Sequence, residues 1–180
     1  DVLTGKPLLE EGVCPAGKYN QGGVSACVVC TAGKFAEPGA AQCAPCLPGH
    51  WSEAEVGACT ACAVGRFQSA NGGDECKECE SGTYSNKAGG ILCIACGVGQ
   101  YSATPASVKC TACGPGRFQS EPGSKECTAC EPCSFNRSRH ECGGSRAGFC
   151  VECSPGSWGN ASSGLCAQCP TSTCSSSTHA

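Results

Sequence analysis

The feature that most constrains this chain is a Cys-x-x-Cys pair that returns every 16 or 17 residues. Pairs begin at Cys27, Cys43, Cys59, Cys76, Cys93, Cys110 and Cys127, and then, 23 residues further on, at Cys150 and Cys166. Self-similarity at a short fixed period marks an array of small units, each in contact mainly with its neighbours. Within the units a Gly stands three residues after the second Cys, at Gly17, Gly33, Gly49, Gly65, Gly82, Gly99, Gly116 and Gly156. Two residues later comes an aromatic: Tyr19, Phe35, Trp51, Phe67, Tyr84, Tyr101, Phe118 and Trp158, with Phe135 at the same offset after Cys130. Phe149 alone is out of register.

Composition explains why the array needs covalent links. Of 180 residues 22 are Cys, above the roughly 8–10% that marks a disulfide scaffold. Leu, Ile, Val and Phe together number 23, well under the roughly 20% share of an ordinary core. The expected fold is therefore small, disulfide-rich and mainly β or irregular: tandem repeats of 16–17 residues, stacked into an elongated rod with no sizeable hydrophobic core.

Each unit reads as a tight turn followed by a short extended stretch. Pro48-Gly49, Pro115-Gly116 and Pro155-Gly156 set φ near −65° and then φ > 0, the requirement of a type II turn. The single aromatic is expected to cover the adjacent disulfide as a miniature core, through sulfur–ring contact, in preference to forming a ladder that stacks sugars or bases. A second Gly before the closing Cys, as at Gly23, Gly39, Gly72 and Gly123, predicts a hairpin turn. No apolar pattern at helical spacing runs uninterrupted.

Net charge is −3, so no electrostatic footprint for nucleic acid or an anionic membrane is present. No apolar run approaches the length of a membrane-spanning helix. With no Met, residue 1 is not expected to be a translation start, and the chain is expected to be processed or part of a longer one. His50, His140 and His179 belong to no nucleophilic or metal motif, and Asp74-Glu75 reads as a solvated turn rather than a calcium site. Neither enzyme activity nor a cofactor or metal is expected.

Thiolate zinc sites also use this pattern, and Cys27, Cys30, Cys43 and Cys46 have an acceptable spacing. Two sequons, at Asn136 and Asn160, and the scarcity of basic residues favour oxidised cysteines in a secreted or cell-surface glycoprotein.

Strings such as CTAGKF, CLPGHW, CESGTYS and CGPGRFQS are similar to ephrin-receptor-like cysteine-rich repeats. The spacing over residues 113–153 resembles a six-cysteine module of the tumour necrosis factor receptor superfamily. These resemblances, which cover about residues 14–169, imply the pairs Cys14–Cys27, Cys30–Cys43, Cys46–Cys59, Cys62–Cys76, Cys79–Cys93, Cys96–Cys110 and Cys113–Cys127. They further imply Cys130–Cys142, Cys133–Cys150 and Cys153–Cys166, which leaves Cys169 with Cys174. A rival scheme joins successive pairs, as Cys27–Cys43 with Cys30–Cys46. The implied organisation is a cysteine-free arm at 1–13, single-disulfide repeats over 14–129, a two-disulfide module at 130–152, a further repeat at 153–169 and a Ser/Thr-rich tail at 170–180.

Two departures from regularity stand out. Arg137, Arg139, His140 and Arg146 cluster in a basic-poor chain, either as an anionic-ligand patch or as a solvated loop beside a glycan. The arm holds Leu3, Leu8 and Leu9, half of the chain's six Leu, and either continues an upstream domain or packs on a partner. Regular units favour a structural or assembly protein in a cell-surface layer, matrix or filament; the alternative is the ligand-binding ectodomain of a receptor. The expected partners are further copies in a head-to-tail polymer, or other extracellular proteins, together with covalent glycans.

Overall fold

The computed structural model describes residues 13–21, 26–134, 137–160 and 165–169. It contains no helix among these residues, only short strands that pair into two-stranded sheets. Lys34–Phe35 with Ala44–Pro45, and His50–Trp51 with Thr60–Ala61, are two such antiparallel hairpins. The expected class is the one observed: small, disulfide-rich, paired short strands in repeated units.

Ten disulfides are described: Cys14–Cys27, Cys30–Cys43, Cys46–Cys59, Cys62–Cys76, Cys79–Cys93, Cys96–Cys110, Cys113–Cys127, Cys130–Cys142, Cys133–Cys150 and Cys153–Cys166. Each regular bond closes one hairpin, and Cys27 and Cys43 are not joined. Cys169 is also disulfide-bonded, whereas Cys174, its expected partner, lies outside the described residues.

The chain divides into two compact units, one of Asp1–Glu80, Tyr84–Ile94 and Pro105–Lys109, the other of Ser81–Thr83, Ala95–Thr104 and Cys110–Ala180. In the first, successive repeats are joined by a backbone ladder. Between the repeat opening at Cys30 and the one opening at Cys46, four bonds recur in every full step. The Cys46 N–H donates to Gly33 O (2.8 Å) and the Gly33 N–H to Ser52 O (2.9 Å). The Ala36 N–H donates to Val56 O (3.3 Å) and the Glu55 N–H to Cys30 O (2.9 Å). At the next step the donors are Cys62, Gly49, Ser52 and Gly72. Strands of two residues cannot form a stable sheet alone, so these bonds, worth roughly 0.5–1.5 kcal/mol each, hold each hairpin to its neighbour.

The ladder explains the Gly after each pair. Gly49 has φ +83° after Pro48, and the His50 N–H closes the type II turn on Leu47 O at 3.0 Å. A Cβ at Gly49 would lie 2.9 Å from the carbonyl carbon of Gly89, two repeats further on, and nearer still to its oxygen. Gly33 meets Gly72 in the same way, and Gly65 meets Ala106. The position that supplies that carbonyl needs positive φ; Gly usually fills it, but Glu55 (φ 63°) and Ala106 (φ 54°) do so without that freedom.

The second unit carries the same step. There the Cys113 N–H donates to Gly99 O (2.8 Å), the Gly99 N–H to Gln119 O (2.7 Å), the Ser102 N–H to Ser124 O (3.1 Å) and the Gly123 N–H to Cys96 O (2.8 Å). The pattern then changes at Cys130. The Cys130 N–H still donates to Gly116 O (2.9 Å) and the Gln119 N–H to Gly144 O (2.8 Å), but the Gly143 N–H turns to Arg146 O (3.0 Å) within its own loop. No described residue would approach a Cβ at Gly116 within 4 Å.

One expectation is corrected. The aromatics are not the buried core: Tyr19, Phe35, Trp51, Phe67, Tyr84, Tyr101 and Phe118 are half-buried, and Trp158 is exposed. Fully buried instead are the second cysteines, Cys14, Cys30, Cys46, Cys62, Cys79 and Cys96, and with them sit Ala36, Ser52, Gln68, Ser85 and Ser102, each one residue past the aromatic. The ladder draws that following residue inward, because its N–H and C=O bond the neighbouring repeats on both sides, and an alternating strand then leaves the aromatic only half-buried.

Candidate interaction surface

Two kinds of surface arise from this construction. Along the regular hairpins, a shallow groove runs between the aromatic of one repeat and the residue before the aromatic of the next. One such groove, of about 380 Å³, is bounded by Trp51, Ala61, Arg66 and Cys76; another, of about 270 Å³, by Tyr19, Val29, Lys34 and Cys43. The cation of the first is already engaged. The Arg66 guanidinium donates to Glu78 Oε1 at 2.5 Å and to Cys76 O at 3.3 Å.

Arg66 belongs to a staple that composition and cysteine spacing do not reveal. Gln68 Nε2 donates to Glu75 O (2.7 Å) while its Oε1 accepts from the Ala70 N–H (3.0 Å). In the second unit Arg117 donates to Cys127 O (3.0 Å), and Gln119 bonds Glu126 O and the Glu121 N–H, both at 3.0 Å. The signal was the string GRFQS, which occurs at 65–69 and again at 116–120. Alternation along the strand turns Arg and Gln to the loop, where each satisfies a carbonyl of the closing segment.

The second kind of surface is the two-disulfide module. Two further cysteines, Cys133 and Cys142, lengthen its strands to Arg137–His140 and Phe149–Glu152, paired antiparallel with Arg137 opposite Glu152 and His140 opposite Phe149. The four basic residues, read from sequence as an anionic-ligand patch or a solvated loop, do not converge. Arg137 is paired with Glu152 at 3.2 Å and Arg146 with Glu141 at 2.6 Å. His140 stacks on Phe149, ring centroids 6.3 Å apart and 25° from parallel. Arg139 donates through Nη2 to the carbonyl of Glu131. Exposed ion pairs of this kind are worth roughly 0–1 kcal/mol, but they neutralise the charge an anion would need.

Arg139 also walls a groove of about 460 Å³, with Phe118 and Ala129 from the preceding hairpin and Ala147 and Phe149 from the module. Sequence reasoning placed neither Phe118 nor Phe149 at a site, because the two rings are brought together by Cys130–Cys142 and Cys133–Cys150 and not by spacing. Phe149, the one aromatic out of register, is 56% exposed.

The remaining predicted positions are distributed as follows. Asn160 is half-exposed at the end of the strand Ser157–Gly159, and its N–H donates to Leu165 O at 2.9 Å. Asn136, Leu3, Leu8 and Leu9 lie outside the described residues. Among the described residues no group of His, Cys, Asp and Glu is arranged to hold a metal ion, and no helix is long and apolar enough to cross a membrane.

Comparison with protein-family models agrees with the geometry. Residues 49–89 and 69–109 each match the tyrosine-protein kinase ephrin type A/B receptor-like family. The tumour necrosis factor receptor-like reading of residues 113–153 lies outside the matched segment. No curated protein matches the chain. Dense disulfides and repeats of this family suggest an extracellular or cell-surface location. The chain carries tandem ephrin-receptor-like cysteine-rich repeats, matched over residues 49–109, in what reads as an extracellular receptor-like segment.

Proposed function

We propose that this chain is a non-enzymatic structural and assembly protein, a disulfide-stapled array that sets distance and display in a cell-surface layer, matrix or filament, with glycans on Asn136 and Asn160. One observation supports this reading above others: the four-bond step between repeats is made by backbone groups, and it recurs with the same donors and acceptors from repeat to repeat. A surface that reads a ligand needs side chains that differ from their counterparts elsewhere, whereas a spacer needs a step that does not change. Many of the side chains that vary along the array, such as Lys34, Arg66 and Gln100 ahead of the aromatics, are exposed.

The experiment is negative-stain imaging of the purified, glycosylated chain together with sedimentation over a range of concentrations. Filaments, or oligomers that grow with concentration, are expected. Particles of one copy at every concentration, with saturable binding to a purified extracellular ligand, would instead favour the second reading, a receptor ectodomain segment. The observation on that side is the module at 130–152, where regularity gives way to paired charges and an aromatic groove.

A further inference from the structure

The groove beside the module differs in one respect from the groove that Arg66 bounds. Where Arg66 meets Glu78, Arg139 has no carboxylate within 4 Å among the described residues, and its Nε is buried without a hydrogen-bond partner there. Its neighbours Arg137 and Arg146 are each matched by a Glu. Arg139 is thus a cation with donors to spare, set among Phe118, Ala129, Ala147 and Phe149 beside Glu131, which it meets through the backbone carbonyl and not the carboxylate. A guanidinium in such a place favours a carboxylate, because a charge-assisted hydrogen bond is roughly twice as strong as a neutral one. The flanking rings and methyl groups favour aliphatic side chains joined to that carboxylate.

The sequence offers one segment of that chemistry. Large aliphatic residues stand side by side at Val2-Leu3, Leu8-Leu9, Val28-Val29 and Ile91-Leu92, and only Leu8-Leu9 is followed at once by acids, Glu10-Glu11. Val28-Val29 and Ile91-Leu92 run straight into a cysteine of the ladder, whereas residues 1–13 hold none. We propose that Leu8–Glu11 of a second copy docks in the Arg139 groove, the two leucines against Phe118 and Phe149 and a Glu10 or Glu11 carboxylate on the guanidinium. The contact joins different surfaces of the two copies, so it propagates unless the rotation closes a ring. It rests on the assembly reading above and gives that assembly a specific joint.

The test is a charge exchange in the full chain, read by sedimentation velocity. Arg139→Glu alone, and Glu10→Lys with Glu11→Lys in a second variant, should each weaken self-association at least tenfold. An equimolar mixture of the two variants should associate again, which a misfolded variant could not do. Leu8→Ser with Leu9→Ser should also weaken association, with no rescue by either charge variant. Oligomers that persist unchanged in all variants would overturn this joint while leaving assembly standing. A wild-type chain that stays monomeric at every concentration would overturn both.

Discussion

The regular repeats and the module at 130–152 use the same bonds to different ends. In the repeats, a disulfide closes each hairpin and backbone groups join it to the next, so that a step such as Gly33 to Ser52 and Glu55 to Cys30 specifies almost no side chain. In the module, two disulfides brace strands of four residues, and the polar contacts pass to side chains: Arg137 with Glu152, Arg146 with Glu141 and His140 on Phe149. The lesson is that covalent bracing is neutral with respect to function. What a region can do depends on whether its backbone or its side chains make the outward contacts, and the change occurs where Gly143 turns from the ladder to Arg146.

The largest expected effect comes from opening one hairpin on each side of this comparison. Replacing Cys46 and Cys59 together by Ser releases a loop of sequence separation 13, and should cost roughly 3 kcal/mol in denaturant unfolding of the otherwise oxidised chain. Amide exchange should also rise in the two adjoining repeats. The same change at Cys133 and Cys150 should cost a similar amount, with the added exchange confined to 130–152. If the loss at Cys46 stayed within its own hairpin, the ladder would not be coupling repeats.

A smaller effect separates local from ladder energetics. Gly49→Ala and Gly116→Ala both place a Cβ at positive φ, +83° and +72°, a cost of roughly 1–2 kcal/mol. Among the described residues only Gly49 also meets a carbonyl two repeats on, so its substitution should cost about 1–2 kcal/mol more. Equal losses by denaturant titration would show that the approach of Gly89 is relieved without strain.

Conversely, Ala106→Gly should stabilise the chain by about 0.5–1 kcal/mol, since relief of the left-handed conformation exceeds the added freedom of the unfolded chain. A loss of stability would place Ala106 outside the strained region. The smallest effect is expected at Lys18 and Glu55, which meet at 2.6 Å on the exposed surface. Lys18→Met should change stability by only a few tenths of a kcal/mol; a larger loss would mean that side chains take part in the ladder.

Much of this architecture was legible in the order of residues. The Cys-x-x-Cys period announced the hairpins, Pro48-Gly49 announced its turn, and the extra Cys133 and Cys142 marked the one region that breaks step. The ladder was not legible, because a backbone N–H looks the same whatever residue bears it; only the Gly that permits close approach leaves a trace. The aromatics misled for the same reason. They repeat as faithfully as the cysteines, but the buried place belongs to the residue after them, which is Ala, Ser or Gln and gives no hydrophobic signal. The cluster of Arg137, Arg139, His140 and Arg146 was visible as charge, while the glutamates that neutralise two of the arginines lie up to 15 residues away in sequence. The unmatched Arg139 emerges only when those partners are in place.

Hydrogen exchange at the glycines that follow each cysteine pair tests the central claim most directly. The Gly33, Gly49, Gly65 and Gly99 amides donate to the next repeat at 2.7–2.9 Å, whereas the Gly116 N–H donates to no backbone oxygen among the described residues. Residue-resolved exchange of the oxidised chain should find the first four protected at least a hundredfold relative to Gly116. Uniformly fast exchange at all five would contradict the account, since it would mean that each hairpin is held by its disulfide alone and that no ladder joins one repeat to the next.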